Sequence, residues 1–175
     1  MKFEIPFDET IFKQQIELTF KTSWKKYATE TTNLGLFNLV FILFAIIVLY
    51  GKGNDVGTVF LIIAIVGGIS FFKRRNEYKN AKVETEKIMN ETIAKWKENP
   101  TSTWEFEDEY FRFKNYGGDY KINWNNFKHY EVIDNTLMFG YEKNTNSFML
   151  SETELGKENF YQIINFIESK IKTSR

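Results

Sequence analysis

Two uninterrupted apolar runs constrain this chain more than any other feature. Residues 34–50 read LGLFNLVFILFAIIVLY and residues 56–72 read VGTVFLIIAIVGGISFF; the short polar bridge Gly51, Lys52, Gly53, Asn54, Asp55 separates them. The first run holds no ionisable side chain except Tyr50 at its edge, and the second holds none. Inside lipid no water satisfies a free backbone amide, so a crossing segment must be a helix or part of a closed barrel. At a helical rise of 1.5 Å per residue, each run spans about 26 Å, slightly less than a typical hydrocarbon core. The pattern predicts a transmembrane helical hairpin with little tilt. Its ends carry interface signals: Tyr50 closes the first run, and Lys73, Arg74 and Arg75 directly follow the second.

Charge sets the expected orientation. Lys21, Lys25 and Lys26 precede the first run, and Lys73, Arg74, Arg75, Lys79 and Lys82 follow the second, whereas the bridge carries only Lys52, balanced by Asp55. The positive-inside rule places both termini in the cytoplasm of a two-span protein of the inner (cytoplasmic) membrane. Lys25, Lys26, Lys73, Arg74 and Arg75 form a basic collar suited to anionic lipid. The competing reading is a soluble protein with a buried helical hairpin, which would need a large layer to cover both runs on every side. A cleaved signal peptide fits less well, because the first run starts far from Met1 and a second follows it.

Four positions inside the hairpin read as packing devices. Ala64 and Gly68 form a small-x-x-x-small pair, with Gly67 beside Gly68; small residues let membrane helices approach closely. Asn38 is the one strongly polar residue of the first run. Folding about Gly53 brings it to the depth of Gly67, Gly68 and Ser70, so its amide is expected to face that patch and bond across to it. The alternative role is a polar lining for an ion or substrate path.

The rest of the chain suits one small domain. Net charge is zero over 175 residues, so no global field points to nucleic acid. From Pro100 onward twelve acidic and nine basic residues give a net of minus three. There is no cysteine, which excludes disulfides, thiol catalysis and thiolate metal sites, and there is one histidine, His129.

Phe3, Ile5 and Phe7 alternate with polar residues, a short strand limited by Pro6. Asp8 stands in N-cap position before an amphipathic helix whose stripe is Phe12, Ile16, Phe20, Trp24 and Tyr27. Residues 29–33, TETTN, read as a helix-weak connection, which closes a segment 1–33 before the hairpin at 34–72. Residues 73–99 read as a stalk helix with Tyr78, Ala81, Thr85, Ile88/Met89, Thr92 and Trp96 on one face, ended by Asn99-Pro100. It packs on the N-terminal helix or, alternatively, dimerises as a coiled coil.

Residues 100–175 read as a β domain. Six β-prone segments follow at short intervals, around 104–106, 110–114, 120–124, 127–133, 136–141 and 147–150. Gly117-Gly118 and Asp134-Asn135 mark tight turns, and 142–146 reads as a polar loop. Ser151 and Glu154 match a capping box. Phe160, Ile163/Ile164, Ile167 and Ile171 stripe a final amphipathic helix. The fold class is therefore an α+β membrane protein: a two-helix transmembrane hairpin plus a small antiparallel β-barrel or sheet, pleckstrin-homology-like, capped by a C-terminal helix.

The run YKINWNNF at 120–127, then Tyr130-Glu131, TLMF at 136–139, FML at 148–150 and the closing helix with Phe160 and Phe166 resemble the YcxB-like family of small bacterial membrane proteins. Where that family commonly has a proline after the last strand, this chain has Ser151-Glu152. The resemblance implies a pleckstrin-homology-like cytoplasmic domain and no catalytic residue to carry over.

No P-loop, dinucleotide fingerprint, nucleophile elbow or zinc motif is present. His129, Glu131 and Asp134 are a weak acid–base or metal signal, and Glu105, Glu107, Asp108 and Glu109 match no calcium-loop spacing. No cofactor, metal or catalytic site is expected. The expected role is a non-enzymatic, membrane-anchored interaction or regulatory module that docks a protein, peptide or anionic lipid. Its partners would be the bilayer and a protein, with no nucleic acid and with homo-oligomerisation left open. The alternative is a subunit of an oligomeric membrane pore or transporter, and a hydrolase using His129 comes third.

Overall fold

A computed structural model describes residues 1–51, 54–142 and 145–171. The bridge at 52–53 and the loop at 143–144 lie outside the described residues. The elements are β1 (Lys2–Pro6), α1 (Glu9–Tyr50), α2 (Asn54–Glu98), β2 (Thr101–Phe106), β3 (Tyr110–Asn115), β4 (Gly118–Asn123), a 3₁₀ turn (Trp124–Asn126), β5 (His129–Ile133), β6 (Thr136–Glu142), β7 (Thr145–Ser151), α3 (Glu152–Leu155) and α4 (Lys157–Lys170). The chain divides into two compact units, Phe20–Lys87, and Met1–Thr19 together with Ile88–Arg175.

The unit Phe20–Lys87 is an antiparallel pair of helices. Both parent helices are long and apolar enough to cross a membrane, and only 6 % and 11 % of their apolar windows are buried. Phe37, Leu43, Ile47, Ile62, Val66 and Ile69 all stand exposed. Small residues make the seam. A Cβ on Gly35 would meet the Phe71 ring at 2.9 Å, one on Gly57 would meet Leu49 Cγ at 2.7 Å, and one on Gly67 would meet Asn38 Oδ1 at 2.6 Å. Ala45 and Ala64 are buried, and Phe60 stacks against Phe41 and Phe44 at 6.0 and 5.9 Å. Contacts move up α1 as they move down α2, and each small residue lets the partner backbone come close. Nearer the unit's other end, Tyr78 packs on Phe20 and Trp24 at 5.4 and 5.8 Å. This is the packing of stalk on N-terminal helix that the stripes predict.

Residues 29–33 are helical, not a connection. Thr29, Thr31 and Thr32 donate their hydroxyls to the carbonyls of Lys25, Tyr27 and Ala28 at 3.0, 2.8 and 3.0 Å. These bonds to the preceding turn satisfy the side chains without breaking the helix, and packing on α2 outweighs the weak propensity.

In the other unit the strands form a four-stranded sheet, β1-β2-β3-β4, and a three-stranded sheet, β5-β6-β7, all antiparallel. The N-terminal strand pairs with β2, Lys2 opposite Glu105 through Pro6 opposite Thr101. No closed barrel forms among the described residues: β4 and β5 do not pair, because the chain turns through Trp124–Asn126 between them. The fourth sequence segment accordingly starts at His129 and not at Phe127. The sheets instead face each other across aromatic side chains. Phe111 of β3 meets Phe139 of β6 at 5.1 Å and Phe148 of β7 at 4.8 Å. Phe160, Ile163, Ile167 and Ile171 bury the face of α4 in the same core. Trp104 and Trp124 lie inside it, their indole N–H groups donating to Ser102 Oγ and the Glu107 carbonyl. Asp134 and Asn135 take φ of 47° and 57°, the left-handed pair that a two-residue hairpin turn requires. The capping box at Ser151 and Glu154 is present.

Truncating Phe111, fully buried between the two sheets, should cost about 3–5 kcal/mol as Phe111→Ala, read by chemical unfolding in detergent. Gly57→Leu should destabilise the helix pair by about 1–3 kcal/mol through overpacking against Leu49, visible as a lowered helical melting transition.

Candidate functional site: an aromatic groove

The described residues enclose one cavity that combines apolar walls with convergent polar groups. It lies wholly within the unit built from Met1–Thr19 and Ile88–Arg175, has a volume of about 310 Å³ and is open to solvent on one side. Seven elements supply it. β1 and the residues after it give Ile5, Pro6, Phe7 and Asp8; α1 gives Phe12 and Gln15; α2 gives Thr92 and Trp96. The β2–β3 pair and its following turn give Ser102, Trp104, Phe113, Asn115 and Tyr116, and the end of β7 and α3 give Phe148, Met149 and Glu154.

The walls are aromatic and interlocked. Phe7 stacks on Trp96 at 5.1 Å with planes 5° apart, and Tyr116 meets Trp96 edge-on at 5.0 Å. Trp104 meets Phe113 edge-on at 4.7 Å, and Phe113 meets Phe148 at 5.5 Å. Each ring is positioned by a neighbour, so the wall is preformed.

The polar groups are held as firmly. Gln15 is buried and donates its Nε2 to Glu154 Oε2 at 2.7 Å. The Ser151 backbone N–H and hydroxyl donate to the same oxygen at 2.7 and 2.9 Å. All three bonds arrive at Oε2. Asp8, at the exposed rim, caps α1: its Oδ1 accepts from the Thr10 and Ile11 backbone N–H groups at 2.8 and 3.0 Å. Among the described residues no lysine, arginine or histidine lines the cavity. Lys13 and Lys97, next in sequence to Phe12 and Trp96, both reach Glu9, at 2.7 and 2.9 Å. Hydrogen bonds from Lys13 and then Lys97 lower the Glu9 carboxyl from 4.5 to about 2.

The residues singled out from sequence lie elsewhere. Asn38 sits against Gly67 and Gly68, but its Oδ1 is buried without a hydrogen-bond partner. The amide is expected to bond across to that patch; its oxygen makes no such bond, because the α2 amides facing it belong to a continuous helix ladder and offer no free donor. Ala64 is buried in the seam. Lys25, Lys26, Lys73 and Arg75 are exposed. Arg74 is engaged: it reaches Glu30 at 3.3 Å and lies 5.3 Å over the Tyr27 ring. The Tyr27 hydroxyl in turn donates to Glu77, and that bond raises the phenol above its ordinary value.

Two other clusters are structural. On the sheet formed by β1 to β4, Lys2, Glu105, Arg112 and Asp119 make a cross-strand charge ladder. Lys2 reaches Glu105 at 3.2 Å, and Arg112 grips Asp119 with two bonds of 2.7 and 2.6 Å. Arg112 holds the Asp119 carboxyl below the usual range, as Lys2 does most strongly for Glu105. With its charges mutually satisfied, the ladder sets register and does not recruit a ligand. His129 Nε2 is 3.5 Å from Glu131 Oε1 but buried without a hydrogen bond. Among the described residues no group of three His, Cys, Asp or Glu could hold a metal ion.

Comparisons add no name to this site. No family model matches the chain, and no curated protein and no solved structure is significantly similar to it.

The groove was not anticipated from sequence. Trp96 read there as part of a helix face and Asp8 as a cap. The available signal was the density of aromatic residues at 7, 12, 96, 104, 113, 116 and 148, which periodicity alone assigns to a core.

The pH dependence at the groove mouth follows from Glu9. Its pKa is depressed by folding, so the stabilisation is complete above about 4.5 and is lost as pH falls toward 2. Melting temperature scanned from pH 6 to pH 2 should fall more steeply for the native chain than for Glu9→Gln.

Proposed function

We propose that this chain is a membrane-anchored interaction module without catalytic activity, which docks a segment of a partner protein in the aromatic groove. The observation that carries the reading is the pairing of that preformed groove with two helices whose apolar side chains are left uncovered. A contiguous apolar surface of this extent is far larger than a water-facing monomer normally exposes. Its burial in lipid is the physically consistent outcome, and the helices match the length a bilayer core requires. The low burial of the apolar windows argues against a soluble protein with a core hairpin.

In this proposal α1 and α2 span the cytoplasmic (bacterial inner) membrane, with both termini on the cytoplasmic side. The support is the basic collar at Lys25, Lys26, Lys73 and Arg75, against a bridge with one lysine and one aspartate. Arg74, tied to Glu30 and Tyr27, acts in the proposal as a clamp between the helices, and the other four meet anionic headgroups. Gly35, Gly57, Ala64 and Gly67 hold the spans together. Two facing antiparallel sheets covered by α4 support a pleckstrin-homology-like domain, and membership of the YcxB-like family belongs to the same proposal. Self-association into a pore has less support, because Asn38 Oδ1 is buried against Gly67 and the cavity of about 360 Å³ that Asn38 lines is otherwise walled by apolar residues.

Two experiments test this. The full chain should stay in the membrane pellet after alkaline carbonate washing, and protease added to intact spheroplasts should leave residues 100–175 uncut; extraction or cleavage overturns the anchored topology. A photo-crosslinking residue in place of Tyr116 should yield one discrete heterologous protein adduct in native membranes. A homo-oligomeric ladder, or no adduct, overturns the docking role.

A further inference from the structure

The groove's chemistry points to one kind of occupant. Two carboxylates, Asp8 on the rim and Glu154 within, face a cavity that no basic side chain lines. Glu154 is fixed through Oε2 by Gln15 and Ser151, so Oε1 is the oxygen left for a guest. Asp8 is likewise held through Oδ1. Seven aromatic residues, Trp96 and Trp104 the strongest cation-binders among them, make up much of the remaining surface. Aromatic faces attract cations through the ring quadrupole, more so where water is excluded. An anion would meet two like charges and no basic side chain, whereas an apolar side chain would leave Glu154 Oε1 without a partner in a partly enclosed space. The volume of about 310 Å³ sits at the small end of ligand cavities, which run to roughly 1,000 Å³; that suits one long side chain with its flanking backbone.

The boundaries of the groove favour an extended chain over a free amine. Ile5 and Pro6 belong to β1, and Phe148 and Met149 to β7, the outermost strands of the two sheets. Outermost strands carry unpaired backbone groups to which an extended segment can bond.

We propose that the groove seats the cationic side chain of an extended segment of the partner protein, lysine or arginine, between aromatic faces and the carboxylates of Asp8 and Glu154. This inference rests on the docking reading above and adds its chemistry.

The test uses the full chain in uncharged detergent micelles and titrates three peptides that differ at one central residue: acetyl-Thr-Val-Arg-Val-Thr amide and its Gln and Glu counterparts. Binding is followed by tryptophan fluorescence and calorimetry, with arginine amide as a fourth arm. The Arg peptide should bind at least tenfold more tightly than the Gln peptide, and the Glu peptide more weakly still. Asp8→Asn with Glu154→Gln should abolish the tenfold preference at unchanged melting temperature, since Asn still caps a helix and Gln still accepts from Ser151. Equal affinity for the Arg and Gln peptides overturns the cation assignment while leaving the docking role standing. Retention of the preference in the double variant overturns the assigned carboxylates. Arginine amide binding as tightly as the Arg peptide overturns the partner-segment source. Failure of every peptide, together with absence of a crosslink at Tyr116, removes the docking reading itself.

Discussion

The pairing of β1 with β2 is the constraint on which this structure depends. Ser102 donates its hydroxyl to the Ile5 carbonyl across 97 positions of sequence, and the Phe7 amide bonds the Pro100 carbonyl at 2.8 Å. The ladder continues to the chain's own beginning, where the Met1 ammonium donates to the Phe106 carbonyl at 2.8 Å. Two strands bonded side by side stand about 5 Å apart, so everything between them must leave and return at nearly the same place. An antiparallel helix pair does this with little residual chain entropy, whereas a flexible loop of that length would carry the full closure cost.

α1 runs without a break through residues 29–33. Threonine hydroxyls bonded to the preceding turn keep the segment helical. The juxtaposed Arg74, Glu30, Tyr27 and Glu77 add cross-helix ties at that level. Each tie is weak at a surface, but together they fix the rotation of one helix about the other.

The groove is a consequence of this arrangement. β1 and β7 end their sheets, and the first turns of α1 and last turns of α2 meet the same surface through Phe7, Phe12 and Trp96. A closed barrel would have paired those strands and removed the opening. Two sheets that stay apart keep it, lined by rings that the core has already positioned. Charge is arranged likewise: Lys13 and Lys97 are drawn to Glu9, and among the described residues no basic side chain lines the groove beside its carboxylates.

Much of this was legible from residues alone. The two apolar runs, the stripe at Phe160, Ile163, Ile167 and Ile171, the turn at Asp134-Asn135 and the Ser151–Glu154 capping box are local patterns, set by helical or strand period and by the few residues that accept positive φ. Small residues at Ala64, Gly67 and Gly68 were visible for the same reason. What only the tertiary structure decided is pairing over distance: that β1 joins β2, that β4 and β5 part at Trp124, that Asn38 Oδ1 finds no donor, and that residues from seven elements surround one cavity. Periodicity reports which side of an element is apolar but not which element will cover it, because that choice rests on contacts between residues far apart in sequence.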